Sequence, residues 1–372
     1  MPGSNSIART SRHYRIPLTH ATAAALGVSL LLLAAMTGAG EGSSHASSVA
    51  RAIEMVSSDR MMDTVRHLQG FGSRAFYLNS SMEAAEYIFE RFSELGLDVH
   101  YQYFMAGPHR TANVVAVLNG SSSEGGEYLL GAHYDSENSE ATNYSLGSTL
   151  SAPGADDDAS GVAAVLEIAT VLSGQRVSKT VKFVAFGAEE RGYDGSGMLN
   201  GSRHFVKAEK ANGTVFAGTV ILDMIGYSGG RGIHAAAAVN ENSMPMAARI
   251  GDATERYNLN LSFSTHFTPN FAASDNYPFW TGGYPSVLVI EDIPSAGAAE
   301  MNPCYHTAND TADTLSAEQM TEVTRGVLAA VLELTTPSTN DDHVVVLGVL
   351  VAAIAVTSII YVFLRKWKVG KT

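Results

Sequence analysis

Four short apolar runs, separated by stretches with helical periodicity, are the feature that most constrains the fold of this chain. They read YLLGAHYD, TVKFVAFGA, TVILDMIGY and PSVLVIEDI in chain order. Runs of this length and apolarity are typical of central strands that are covered on both faces. Because strands and helices alternate, we expect a three-layer α/β/α sandwich around a mixed, mostly parallel sheet.

Further strands and helices are predicted on either side of these runs. DVHYQYFM and TANVVAVLN alternate aromatic and β-branched residues with others, which indicates two more strands. Amphipathic patterns predict a helix from Val49 to about Leu68 and a last helix from Ala317 to Leu334. The segment DDASGVAAVLEIATVLSG is predicted to be helical as well, and to end at Gly174.

The composition permits a large folded domain and argues against nucleic acid as a partner. The chain has 372 residues, of which 45% are hydrophobic and 16% charged, and its formal net charge is −13. Surfaces that bind nucleic acid are basic, so this acidic balance disfavours that class of function. Cys304 is the only cysteine, so no intrachain disulfide can form, and we expect a buried free thiol rather than a nucleophile.

Two apolar segments lie near the ends of the chain. Residues 21–39 follow three arginines, so residues 1–40 are predicted to be a signal peptide or an N-terminal membrane anchor. The run from Val344 to Leu364 contains no charge and precedes the basic tail 365–372. It predicts a transmembrane helix, and the alternative is a helix buried in the core.

The basic flanks of these segments predict the location of the residues between them. Such flanks belong on the cytoplasmic side, so the domain at 41–337 and the linker at 338–343 are expected to be extracytoplasmic, at the cell surface or in a lumen. Asn-x-Ser/Thr tripeptides support that side, although they also arise by chance in a serine-rich chain. They begin at Asn79, Asn119, Asn143, Asn200, Asn212, Asn260 and Asn309.

Titratable side chains follow three of the four apolar runs. His133 and Asp135 lie at the end of the first run, Glu189 and Glu190 follow the second, and Asp223 lies in the third. Ligands of open α/β sheets bind beyond the carboxyl ends of the strands. Imidazole and carboxylate donors at one such rim suit Zn²⁺, and also Mn²⁺ or Co²⁺.

Three consecutive aspartates, Asp156 to Asp158, open one predicted helix, and His306 lies in a loop before the last one. A helix cap would explain one of these aspartates, but three with no basic residue nearby call for another reason. Taken singly, His133 would be a hydrogen-bonded core residue and the pair Glu189–Glu190 a solvated turn. Their occurrence together at successive strand ends favours a functional site.

Several motifs together resemble the co-catalytic zinc aminopeptidases of peptidase family M28. GAHYDS, PGADDDASG, FGAEERGYDGS, LDMIGY and YHTANDT occur in the family's order, and SDNYPFWTGGYPSV is similar to it as well. The resemblance covers most of residues 50–335 and excludes both apolar end segments. It implies the phosphorylase/hydrolase-like fold of the zinc aminopeptidases, in agreement with the sandwich expected above.

The resemblance also implies a centre of two Zn²⁺ ions, for which Mn²⁺ or Co²⁺ could substitute. One ion would be held by His133 and Asp223 and the other by Glu190 and His306, and Asp157 would bridge both. The implied metal ligands are thus His133, Asp157, Glu190, Asp223 and His306.

The same resemblance assigns Glu189 as the general acid/base and Asp135 as the partner that fixes the tautomer of His133. The implied reaction is metal-assisted hydrolysis, in which a zinc-bridging water loses its proton to Glu189 and attacks the scissile carbonyl. The substrate would be a peptide with a free amino terminus, which loses its first residue. The segment from Leu261 to Trp280 is our candidate for part of the specificity pocket.

Three alternatives to an aminopeptidase stay open. They are a glutaminyl cyclase-like enzyme with one zinc, a carboxypeptidase relative, and a non-catalytic receptor-type ectodomain. The complete GADDDASG motif and the intact ligand set favour a hydrolase over the cyclase, and non-catalytic relatives lose ligands that this chain keeps.

Overall fold

Eight strands form one mixed sheet in the computed structural model of this chain, which describes residues 45–122, 124–192, 197–293 and 301–336. The strand order is β1-β2-β4-β3-β5-β8-β6-β7. The strands are β1 (Asp98–Ala106), β2 (His109–Leu118), β3 (Glu127–His133), β4 (Val181–Phe186), β5 (Phe216–Leu222), β6 (His234–Val239), β7 (Ser262–Phe267) and β8 (Ser286–Ile290).

The centre of the sheet is parallel, and its flanks are mixed. Strands β4, β3, β5 and β8 are successive parallel neighbours. Strands β1, β2 and β4 pair antiparallel, as do β8 and β6, while β7 is parallel to β6 at the far edge. The four parallel strands therefore direct their carboxyl ends to one edge of the sheet.

Helices cover both faces of the sheet. Alternate residues of β4 show this directly, because Val181, Phe183 and Ala185 belong to one apolar cluster and Val184 and Phe186 to another. The first cluster includes residues of α1, α2, α3, α5, α7 and α9, and the second includes residues of α6 and α8. The expected three-layer sandwich is thereby confirmed. The helices are α1 (45–53), α2 (Ser58–Gly70), α3 (Asn79–Glu94), α4 (Tyr144–Gly147), α5 (Gly161–Ser173), α6 (Asn200–Asn212), α7 (Met244–Arg256), α8 (Asn276–Gly282) and α9 (Ala317–Thr335).

Two parts of the fold differ from the sequence predictions. The helix expected from Val49 to Leu68 is divided into α1 and α2 at Ser57, whose hydroxyl accepts a hydrogen bond from the backbone N–H of Arg60. The backbone N–H of Ser57 donates to the buried carboxylate of Glu167 at 2.7 Å, which stabilises the break. Strands β6 and β7 were not predicted, because HAAAAV has helix-forming composition and SFSTHF is a polar edge strand.

The predictions for both ends of the chain lie outside the described residues. They concern the signal peptide or anchor at 1–40, the linker at 338–343, the transmembrane helix from Val344 to Leu364 and the tail at 365–372. Within the described ranges, no helix combines the length and the apolarity that a membrane crossing requires. Membrane anchoring is therefore not confirmed.

Candidate metal centre

The candidate site lies where the parallel strands end. His133 is the last residue of β3, Asp223 directly follows β5, and Glu189 and Glu190 follow β4 after a two-residue turn. Because β4, β3 and β5 are adjacent and parallel, their carboxyl ends deliver these side chains to the same edge. Asp157 reaches that edge from the π-helical turn Ala155–Ser160, just before α5.

Asp157 lies between two imidazole rings. Its Oδ1 is 3.0 Å from Nε2 of His133, and its Oδ2 is 2.9 Å from Nε2 of His306. Asp223 Oδ1 lies 3.7 Å from the first ring, and Glu190 Oε2 lies 3.2 Å from the second. The five side chains that the resemblance named as ligands are thus close together at one edge of the sheet.

The charge of this cluster fits a divalent cation. Burial alone would lower the pKa of His133, but the carboxylates of Asp135, Asp157 and Asp223 raise it well above the usual value. Burial raises the pKa of Glu190 to about 8, against the opposing charge of His306. Asp157 Oδ2 approaches a ring nitrogen without accepting a hydrogen bond in the described part of the chain. Imidazole nitrogens and carboxylate oxygens are the donors that bind zinc in proteins, so this buried cluster suits a metal site.

Glu189 lies beside this cluster but has a different environment from Glu190. It is 3% exposed and lines a cavity that is also lined by His133, Asp157 and Glu190. Its Oε1 has no hydrogen-bond partner among the described residues. Burial raises the pKa of Glu189 well above its usual value, and the negative charge of Glu190 adds to that shift. A carboxyl group in this environment can exchange a proton with a group in the cavity.

The two outer aspartates of the triple-Asp run are held by hydrogen bonds. Asp158 accepts from the backbone N–H groups of His133, Gly161 and Met224 at 2.9–3.2 Å. Asp156 accepts from the backbone N–H of Gly226 at 2.8 Å and from the side-chain amide of Asn302 at 2.9 Å. Both fix the loops around the centre, so only Asp157 has its carboxylate free to face the two rings.

Two further carboxylates each accept successive backbone amides. Asp135 accepts from the N–H groups of Glu189 and Glu190 at 3.0 and 3.1 Å, and Asp310 does the same for Asp156 and Asp157 at 2.9 and 3.1 Å. Each pair of bonds orients a segment that carries a candidate ligand.

The geometry around His133 differs from the expected pairing with Asp135. Nδ1 of His133 lies 3.2 Å from the backbone oxygen of Asp135 and 3.7 Å from its carboxylate. The carboxylate accepts hydrogen bonds from the backbone amides of Glu189 and Glu190 instead, at 3.0 and 3.1 Å. Asp135 thus contacts the histidine mainly through its main chain.

Strained backbone is concentrated next to these residues. Ala188, which precedes Glu189, has a φ of 56°, and Met224, which follows Asp223, has a φ of 53°. His306 itself has a φ of 56°. Non-glycine residues in this region cost about 1–3 kcal/mol each and persist where the surroundings over-determine them, most often at functional sites.

Sequence reasoning missed several residues that shape the centre. Tyr305 stacks on the ring of His306, with centroids 3.7 Å apart. The fully buried Arg74 donates to the backbone oxygens of Tyr134, Pro153 and Gly154, and so ties the end of β3 to the approach to the triple-Asp run. Tyr305 lies within the quoted YHTANDT motif, whereas Arg74 had no sequence signal because its partners are carbonyl groups. Cys304 is half-buried, not fully buried as expected.

A cavity of about 180 Å³ opens from the centre toward an apolar wall. One side of it is lined by Phe271, Ala273 and Ser274, which lie within the range expected to form part of a specificity pocket. The remaining apolar lining consists of Met198, Met224, Leu288, Ile290 and Met301, with Tyr305 near the rings. The cavity can therefore accept an apolar group beside the metal ligands.

Two curated relatives are similar to this chain over unequal lengths. The uncharacterized protein YfbL of Escherichia coli is 30% identical over 298 residues, which cover 73% of this chain and 87% of that protein. A probable zinc metalloprotease of Pyrenophora teres f. teres is 31% identical over 198 residues, or 47% of this chain and 40% of that protein. The chain thus spans less than half the length of this second relative.

Solved structures share the fold of this chain at low identity. The LapA aminopeptidase of Legionella pneumophila superposes with a TM-score of 0.66 at 20% identity, over 78% of this chain and 75% of that one. The glutaminyl cyclase of Porphyromonas gingivalis superposes with a TM-score of 0.61 at 20% identity, over 75% of this chain and 99% of that one. Residues 113–331 match the family model described as Peptidase family M28, and that range contains all the candidate ligands. The chain belongs to peptidase family M28.

Proposed function

We propose that this chain is a zinc-dependent aminopeptidase that removes the first residue of peptides with a free amino terminus. The observation that carries the proposal is the position of Asp157, which presents one carboxylate oxygen to each of two imidazole rings. A carboxylate placed in this way can bridge two cations and offset their mutual repulsion. Membership of a peptidase family makes peptides the expected class of substrate.

Five residues would hold the metal. His133 and Asp223 would bind one ion, His306 and Glu190 the other, and Asp157 both. Imidazole nitrogen and carboxylate oxygen are the donors that zinc accepts in catalytic sites, and Mn²⁺ or Co²⁺ can occupy such sites as well. The zinc metalloprotease among the relatives supports zinc as the ion. When bound, zinc supplies Lewis acidity, which polarises a carbonyl group and lowers the pKa of a coordinated water.

Glu189 would move the protons of the reaction. Its unpartnered oxygen and raised pKa suit a group that takes a proton from the attacking water and gives it to the leaving amine. The backbone amides of Glu189 and Glu190 both donate to Asp135, which would hold the acid/base and the ligand in a fixed relative position. The apolar wall formed around Phe271 would receive the first side chain of the substrate and limit the access of water.

A glutaminyl cyclase is the second candidate, because the cyclase from Porphyromonas gingivalis has the same fold. An enzyme of that branch would hold a single zinc. The retention of both imidazoles, with Asp157 between them, favours the aminopeptidase. Carboxypeptidase action on the same metal centre is distinguished only by the end of the peptide that is cleaved.

Metal analysis and a matched substrate set test these functions together. We expect about two zinc ions per chain, loss of activity on chelation, and recovery on addition of zinc. Peptides with a free amino terminus should be cleaved and their N-acetylated counterparts should not. Release of residues from the carboxyl end would overturn the proposal in favour of a carboxypeptidase. Cyclisation of glutaminyl peptides by a chain that retains one ion would favour the cyclase.

A further inference from the structure

Glu137 lies behind His306, on the side of the ring that faces away from Asp157. Its Oε1 is 3.1 Å from Nδ1 of His306, and its side chain is only 4% exposed. The guanidinium of Arg191 lies 3.5 Å from the same oxygen, and the side chain of Arg191 is 57% exposed. Oε2 of Glu137 has no hydrogen-bond partner within the described ranges. The strongest contact of this buried carboxylate is thus the ring nitrogen of a candidate metal ligand.

The segment that carries Glu137 also holds the main chain of His306. Ser139 donates to the backbone oxygen of His306 from its own backbone N–H at 3.0 Å and from its hydroxyl at 3.3 Å. This support offsets the cost of the backbone of His306, whose φ of 56° is uncommon for a residue other than glycine. With Tyr305 stacked on the face of the ring, His306 is fixed at its carbonyl, its Nδ1 and its ring plane.

The two histidines of the centre differ in the partner of their second ring nitrogen. Nδ1 of His133 faces a neutral backbone oxygen at 3.2 Å, whereas Nδ1 of His306 faces the carboxylate of Glu137. A carboxylate partner orients a ligating histidine. It also makes the other ring nitrogen bind metal more strongly than a carbonyl partner does.

We propose that Glu137 is a positioning residue that orients His306 and strengthens the metal position which His306 shares with Glu190. This inference rests on the proposed metal centre. It predicts that the two metal positions respond differently to a change at Glu137, since Glu137 contacts His306 at 3.1 Å, whereas the carboxylate beside Nδ1 of His133 belongs to Asp135, at 3.7 Å. Loss of such a partner typically costs about 10–100-fold in metal affinity.

Zinc titration of the full chain against a competing chelator tests the inference. Glu137→Ala should lower the affinity for one of the two zinc ions by about 10–100-fold and leave the affinity for the other unchanged. Glu137→Gln keeps a hydrogen-bond acceptor and loses the charge, so its affinity should lie between those of Glu137→Ala and the wild type. Glu140→Gln is the matched control, because Glu140 lies in the same loop and is exposed. Thermal unfolding of the metal-free variants establishes that each one folds.

A spectroscopic measurement separates positioning from a general structural effect. In zinc-loaded protein with ¹⁵N-labelled histidine, the Nδ1–H of His306 should give a downfield proton resonance with slow solvent exchange. That resonance should be lost in Glu137→Ala and kept, with a shift, in Glu137→Gln. Unchanged affinities together with an unchanged resonance would overturn the inference. A Glu137→Ala chain that never binds more than one ion at saturating zinc would also overturn it, because Glu137 would then be a ligand.

Failure of the proposed function is distinguishable from failure of this inference. A wild-type chain with a single ion or without aminopeptidase activity would contradict the former. The zinc affinities and the His306 resonance of the Glu137 variants are both read without turnover, so they test this inference whether or not the chain is an aminopeptidase.

Discussion

Asp156, Asp157 and Asp158 stand side by side in the chain, yet their surroundings give them different tasks. Three backbone amides point at Asp158, and an amide and a side-chain NH₂ point at Asp156. Asp157 instead faces two imidazoles, which lower its pKa against the effect of burial. At the scale of the residue, the partner of each carboxylate decides whether it fixes a loop or faces the metal.

The neighbours Glu189 and Glu190 provide a test at the same scale. Glu189→Gln keeps the shape of the side chain but cannot take a proton, so we expect normal zinc content and a loss of turnover of about 10²–10⁴-fold. Glu190→Gln removes a charged ligand, so the affinity of one site for zinc should fall, and excess zinc should partly restore activity. Zinc content and steady-state turnover of both variants are the measurements. Loss of a zinc in Glu189→Gln, with both zincs retained in an inactive Glu190→Gln, would exchange the two roles.

The contact between α5 and the end of β5 shows how closely the elements around the centre approach one another. Gly161 begins α5 against the carbonyl of Leu222, the last residue of β5, and its backbone N–H donates to Asp158. A Cβ atom at Gly161 would overlap both the Leu222 oxygen and the Asp158 carboxylate. The close approach therefore links the segments that carry Asp157 and Asp223.

We predict that Gly161→Ala lowers the free energy of unfolding by about 1–3 kcal/mol, because overpacking outweighs the better helix propensity of alanine. Zinc affinity should fall as well, since both ligand segments must shift. Gly70→Ala is the control, because an added Cβ at the end of α2 meets no atom within 4 Å among the described residues. That change should raise stability by about 0.5–1 kcal/mol. Denaturant unfolding measures both, and a Gly161→Ala chain as stable as Gly70→Ala would contradict the packing argument.

At the scale of the whole molecule, the sequence predicted the layers of the fold and the residues at the strand ends. The apolar runs that became β3, β4, β5 and β8 carry a strong signal because central strands are covered on both faces. The five candidate ligands were recognisable through motifs. Glu137 and Arg74 were not, because their partners lie far away in the chain and become neighbours only when the sheet and its loops have formed. The apolar runs can thus be recognised from neighbouring residues in the sequence. The contacts that Glu137 and Arg74 make around the centre depend on the tertiary structure.

Stability as a function of pH gives a prediction for the whole domain. Burial, followed by the charge of Asp156, raises the pKa of Asp310 to about 7, and burial raises the pKa of Glu190. An acid with a raised pKa in the folded state binds its proton more tightly there than in the unfolded chain. Without metal, the unfolding free energy should therefore fall as the pH rises from about 5 to about 8. The raised pKa values of His133 and His306 act in the same direction, because these rings stay protonated only in the folded state.

The zinc-loaded chain should show the opposite slope over the same interval. Bound cations require deprotonated ligands, so acid displaces the metal and removes its contribution to stability. Thermal unfolding at several pH values, with excess zinc and with excess chelator, measures both curves, and a zinc-saturated chelator controls for the additive. If the thermal unfolding midpoint of the metal-free chain rises toward pH 8, some other charge compensates the buried carboxylates. If the two curves coincide, zinc makes no contribution to the folded state and the proposed centre is wrong. Opposite slopes would show that the charge of the metal ions is what makes this cluster of buried carboxylates compatible with a stable fold at neutral pH.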